Sequence, residues 1–140
     1  MVNPAQVRLI RDSFPGITAL SGPIAMLFYG RLFDLAPEVR PMFRQDIAVQ
    51  GRKLMDMLTA LVANLNQFEE LEPMLKAMGQ RHAAYGVQSG HYSTVSSALL
   101  WAFGIALEDE FSPELKAAWR TLIDEVSTVM KAGAAELLPR

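Results

Sequence analysis

The stretch PMLKAMGQRHAAYG, residues 73–86, decides how this chain folds. Pro73 suits the first turn of a helix, where its missing N–H costs nothing. Leu75, Met78 and His82 then recur at helical spacing on one face, and Gly86 is placed to stop the helix. Working outward, the same pattern repeats. Upstream, Asp46 is a cap for a long helix bearing Ile47, Leu54, Leu58, Leu61 and Leu65. Before it, Pro37 opens a short helical piece that Pro41 restricts, with Phe43 just after. Ser21 reads as the cap of a helix with Pro23 in its first turn and Ile24, Leu27, Phe28 and Leu32 as its apolar stripe. Asn3 and Pro4 start a first helix through Val7, Ile10 and Phe14, which Pro15-Gly16 is expected to weaken or end. Downstream, His91 to about Leu107 reads as a helix. Ser112 and Pro113 start the last one, carrying Leu115, Trp119, Leu122, Val126 and Met130. No hairpin, internal repeat or low-complexity linker interrupts this order. The expectation is an all-α protein of six to eight helices, with residues 1–140 as one domain.

Composition narrows the function. A chain of 140 residues with 51% hydrophobic and 20% charged residues can bury one real core. The net charge of -2 and the lack of a Lys/Arg cluster give no sign of a nucleic-acid partner. There is no cysteine, which excludes disulfides, thiolate metal sites and cysteine nucleophiles. No apolar run reaches the ~18 residues of a membrane helix, and no basic-then-apolar leader opens the chain. The expected compartment is the cytoplasm, with no membrane partner.

The informative residues are polar ones within apolar stripes. His82 lies seven residues after Leu75 and four after Met78. It reads either as a core histidine satisfied by a backbone carbonyl or as an axial metal ligand, its other N–H held one turn back by the Met78 carbonyl. One histidine without an acidic or histidine cluster cannot build a zinc site, whereas haem needs only one protein donor. Gln50 falls on the stripe of Ile47 and Leu54, either as a boundary residue turned to water or as a donor aimed at a ligand. Tyr29 follows Leu27-Phe28, either as a core tyrosine with a wet tip or as a second such donor. The methionines read as core filler rather than sulfur ligands.

Taken in order, LFYGRLF (27–33), PEVRPMF (37–43), QGRKLM (50–55), RHAAYGV (81–87), HY (91–92) and AAW (117–119) occur at a shared spacing. Over roughly residues 5–133 the chain resembles single-domain bacterial haemoglobins and the globin portion of flavohaemoglobins. The resemblance implies a globin fold around a haem pocket and haem b as cofactor. It implies that His82 is the proximal iron ligand and that Phe43 stacks on the porphyrin. Tyr29 and Gln50 are implied as the distal donors and Leu54 as the apolar residue over the iron. Lys53 would stand near a propionate, Tyr92 on the proximal side, and Val87 and Val95 in the wall. His91 is read as a cap or surface residue, not a ligand.

Two departures qualify that picture. Flavohaemoglobins place a supporting glutamate in the last helix, and at that spacing this chain has Ala134. Glu136 lies roughly 200° further around the helix. Flavohaemoglobins also continue into a flavin and nicotinamide reductase, while this sequence stops at Arg140 without a GxGxxG motif. The expected function is therefore reversible binding of oxygen, and of carbon monoxide or nitric oxide, in storage or transport. The alternatives are nitric oxide dioxygenation served by a separate reductase, and a helical interaction domain without cofactor.

Overall fold

A computed structural model describes residues 2–136. It contains α1 (Pro4–Ala19), α2 (Ser21–Leu35), α3 (Ile47–Ala63), α4 (Glu72–Ala84), α5 (His91–Leu107) and α6 (Pro113–Ala135). Short 3-10 segments run over Pro37–Met42, Leu65–Leu71 and Glu108–Glu110, and no strand occurs among the described residues. None of the described helices is long and apolar enough to cross a membrane.

The caps explain most of the boundaries. Asn3 and Gln6 form a reciprocal capping box at the start of α1. Asp46 accepts from Val49 N–H and Ser112 from Leu115 N–H, each satisfying one orphan donor at the start of α3 and α6. Gly86 takes φ 101°, and the α4 terminus closes as Val87 N–H donates to the His82 carbonyl and Gly86 N–H to that of Ala83. Those two bonds are the Schellman pattern.

Two expectations needed correction. α1 does not end at Pro15-Gly16 but continues to Ala19. Continuation buries Ile17 completely, and Thr18 Oγ1 donates to the Pro15 carbonyl, so packing outweighs the lost backbone bond. Ser21 is the first helical residue of α2 rather than its cap. Leu20 holds the cap position and its carbonyl takes the Ile24 N–H without any side-chain bond.

The core joins Ile10, Ile24, Leu58, Leu75, Phe103 and Trp119, all buried. Trp119 stands edge-on to Phe103, with ring centroids 5.0 Å apart. Its indole N–H donates to Ser13 Oγ (3.1 Å), which itself donates to the Ile10 carbonyl (2.8 Å). A buried polar atom is thereby satisfied while α1 is tied to α6. α2 packs on α3 and α5, and α4 packs mainly on α6. By contrast, α4 does not pack closely on α3 or α5.

Candidate functional site

His82 stands near the end of α4, half-buried. Its Nδ1 is 2.7 Å from the Met78 carbonyl oxygen. A carbonyl only accepts, so Nδ1 carries the hydrogen and neutral imidazole keeps its lone pair on Nε2. Burial is the main influence on the ring and lowers its pKa, against a smaller raising effect of the Met78 bond; Arg81 adds to the lowering. The described residues place no hydrogen-bond partner on Nε2. The Val87 N–H on the His82 carbonyl fixes the backbone beside it. The ring is thus held at one nitrogen and available at the other. No group of three His, Cys, Asp or Glu residues that could hold a metal occurs among the described residues.

A second cluster comes from α2, α3 and the segment between them. Ala25 and Gly51 meet where α2 crosses α3. A Cβ on Gly51 would stand 2.9 Å from that of Ala25, so glycine allows the close approach. That approach brings Tyr29 to Gln50: the Tyr29 hydroxyl donates to the Gln50 backbone carbonyl at 3.1 Å. Burial pushes the Tyr29 pKa up to about 12. The Gln50 side chain turns to Gln45, Nε2 to Oε1 3.4 Å, and Lys53 Nζ donates to the same Gln45 oxygen. Phe43, directly after the 3-10 segment, packs edge-on against Tyr29 and Phe33 with centroids 5.4 Å away in both cases. Leu54 is half-buried on the inward stripe of α3.

α5 and α6 supply the remaining expected residues. Tyr92 and Val95 on α5, and Val87 before it, are half-buried. The Lys131 ammonium lies 5.5 Å from the Tyr92 ring centroid, and burial raises the Tyr92 pKa. Ala134 is half-buried and offers no carboxylate, while Glu136 is exposed and bridges to Lys76 at 3.0 Å. His91 is not the cap of α5 but its first helical residue, with Gly90 at the cap position; its Nδ1 accepts from Gln88 N–H (3.0 Å) and its Nε2 lies 3.3 Å from Glu38. With a side chain only 12% exposed, it is covered rather than a free surface residue.

The structure adds contacts that the sequence did not signal. Gln45 links Gln50 to Lys53, Lys131 covers Tyr92, and Glu38 meets His91 across the chain. Phe33 carried a readable signal, being four residues after Tyr29 on α2. Phe43, Ile47, Leu54, Met78, Tyr92 and Val95 are all packed against the core without being fully covered. Two surface hollows, one lined by Leu9, Asp12 and Ser13 and one by Phe68, Thr121 and Asp124, include none of these residues and neither histidine.

Known proteins agree with this architecture. The chain is 28% identical over 121 residues to a flavohemoprotein of Rhodopirellula baltica, covering 84% of this chain but 30% of that protein. It thus spans about a third of the length of such relatives. An anaerobic nitrite reductase of Oryza sativa subsp. indica is 26% identical, with 90% of this chain and 91% of that protein covered. An engineered carbene transferase from Rhodothermus marinus superposes with a TM-score of 0.87 at 26% identity, over 98% of this chain and 96% of the other. The globin family model matches residues 27–130, and the chain belongs to the globin family.

Proposed function

We propose that this protein is a single-domain cytoplasmic globin that holds haem b through His82 and reversibly binds oxygen and other diatomic gases. The observation that carries the reading is the imidazole of His82, pinned at Nδ1 by the Met78 carbonyl and bare at Nε2. Haem would bring its own porphyrin ligands to the iron and supply the gas-binding chemistry, so one protein donor would suffice. The residues present fit such a group. Its large apolar surface needs apolar walls that are not already buried, and Phe43, Leu54, Val87, Tyr92 and Val95 are half-covered.

Each residue then has a task. Val87, Tyr92 and Val95 wall the side of His82, and Phe43 and Leu54 exclude water from the other. Lys53 is exposed, so its charge on a propionate would be screened by solvent. Tyr29 and Gln50 would offer an O–H and an amide N–H to the gas on leaving the Gln50 carbonyl and Gln45. The Gln50 amide would be a poor iron ligand, so it would act on the gas as a donor rather than on the metal.

Absorption spectra of the purified protein, oxidised, reduced and gas-bound, test the proposal. A strong porphyrin band that is lost in His82→Ala and kept in His91→Ala is expected. The reverse pattern overturns the ligand, and absence of the band overturns the haem reading in favour of a helical interaction domain.

Nitric oxide dioxygenation is the second reading, favoured by the similarity to flavohemoproteins. It requires a supply of electrons. Nitric oxide consumption that depends on an added reductase would support it, and consumption no faster than free haem would remove it.

A further inference from the structure

We propose that the crossing of α4 on α6 at Gly79 and Gly133 is a positioning device for the iron ligand, setting where His82 stands relative to the haem. The inference rests on the haem reading above.

The two glycines meet the opposite helix backbone to backbone. A Cβ on Gly79 would fall 1.9 Å from the Met130 carbonyl oxygen, and one on Gly133 2.3 Å from that of Lys76. The contact is reciprocal and antiparallel, 79 on 130 and 76 on 133. Neither glycine needs a left-handed backbone, because Gly86 alone among the described glycines has positive φ. Both lie inside helices, where glycine is less stable than alanine. The chain accepts that cost at two facing positions. At Gly22, Gly30 and Gly90 a Cβ would meet nothing within 4 Å, so close approach is not general to the glycines of this protein.

The crossing governs His82 for two reasons. First, α6 is the main packing partner of α4, which does not pack closely on α3 or α5. The distance of α4 from α6 therefore has little else to define it. Second, the His82 ring is rigidly joined to α4. Its Nδ1 is held by Met78, one turn back, and its carbonyl receives the Val87 N–H. His82 follows Gly79 by three residues, so the two lie within about 60° on the helix. A displacement of α4 off α6 carries the ring with it. The obstruction is main chain, so no side-chain rotation relieves it. An ordinary C···O contact is about 3.3 Å, and an added methyl must open the crossing by roughly 1 Å or more.

The test is resonance Raman spectroscopy of the reduced, gas-free haem protein, reading the iron–imidazole stretch. Gly133→Ala is expected to shift the band, Gly79→Ala to shift it further, and Gly22→Ala to leave it in place. In a His82→Gly background loaded with free imidazole, the ligand is detached from α4, and both shifts should vanish. Alanine variants that lose thermal stability but keep the parent band overturn the proposal, as do shifts that persist with free imidazole. If neither alanine variant folds, a crystal structure of the haem-loaded parent decides. Retained contact of Gly79 with Met130 supports the device, and a ligating His82 on an α4 moved clear of α6 overturns it. A parent protein without a porphyrin band defeats the haem reading itself, whereas a His82-dependent band indifferent to both glycines defeats only this inference.

Discussion

The Tyr29 hydroxyl donates to the main-chain carbonyl of Gln50 rather than to the Gln50 amide, across 21 positions of sequence. α2 and α3 are therefore stitched together by one of the groups proposed to meet the gas. The Gln50 side chain points to Gln45 at the same time. Both donors carry prior engagements, and those engagements scale what each can add.

On the haem reading, oxygen as a more polar ligand would reward a donor more than carbon monoxide would. A neutral hydrogen bond is worth about 1 kcal/mol and one to a charged group about 1.5–3 kcal/mol. Leaving the Gln50 carbonyl offsets part of the gain, so the net is about 1 kcal/mol. Tyr29→Phe is expected to speed oxygen release roughly five-fold and carbon monoxide release less. Stopped-flow release of both gases checks this. Equal acceleration of the two would assign the effect to packing, and no change would mean that the hydroxyl stays on the carbonyl.

The same tyrosine shapes the alkaline limit of stability. Its pKa stands at about 12 in the fold against 10.0 for the free side chain. The unfolded chain ionises first as pH rises. Stability present below pH 10 is then lost progressively up to pH 12, by about 2–3 kcal/mol. Urea unfolding of the haem-free protein should show this loss in the parent and a smaller one in Tyr29→Phe, the remainder coming from Tyr92, whose pKa burial also raises. A parallel decline in both would place the alkaline sensitivity elsewhere.

At the acid end the sign reverses. Burial lowers the His82 pKa below its ordinary 6.5, so the unfolded chain takes the proton first. Stability contributed by neutral His82 is full above pH 6.5 and declines as pH falls through the lowered value. The same proton competes for the Nε2 lone pair. Haem transfer to an acceptor protein should accelerate as pH falls in this range. A transfer rate flat from pH 7 to pH 5 would contradict His82 as the proton-sensitive ligand.

α6 presents Lys131 to Tyr92 and no carboxylate at Ala134. A carboxylate on an imidazole N–H increases donation to the metal. Introducing one by Ala134→Glu meets an obstacle, because Lys131 is three residues earlier on the same helix and competes for it. Ala134→Glu alone should lower the haem reduction potential only slightly. The double change Lys131→Gln with Ala134→Glu should lower it by about 60 mV, a tenfold shift for a one-electron couple. Spectroelectrochemistry checks both, and an unchanged potential in the double variant would show that position 134 does not reach the His82 ring.

Much was decided locally. Asn3, Asp46, Ser112 and Gly86 act through their own turns, so caps and stops were legible from residue type and order. The His82–Met78 bond was legible because it spans one helical turn. The stripes of α3 and α6 pointed to the buried Leu58, Leu61, Trp119 and Leu122 because burial follows helical period. The failures came where a distant contact outweighed local preference. Pro15 should weaken α1, but burying Ile17 under the other helices offsets the lost bond. Gln50, Lys53 and Tyr29 have partners that depend on the α2–α3 crossing and on the position of Gln45, which no periodicity encodes. Gly79 and Gly133 are unremarkable letters within two helices. Their meaning exists only where the helices touch, because the absence of a side chain is informative only when something occupies its place.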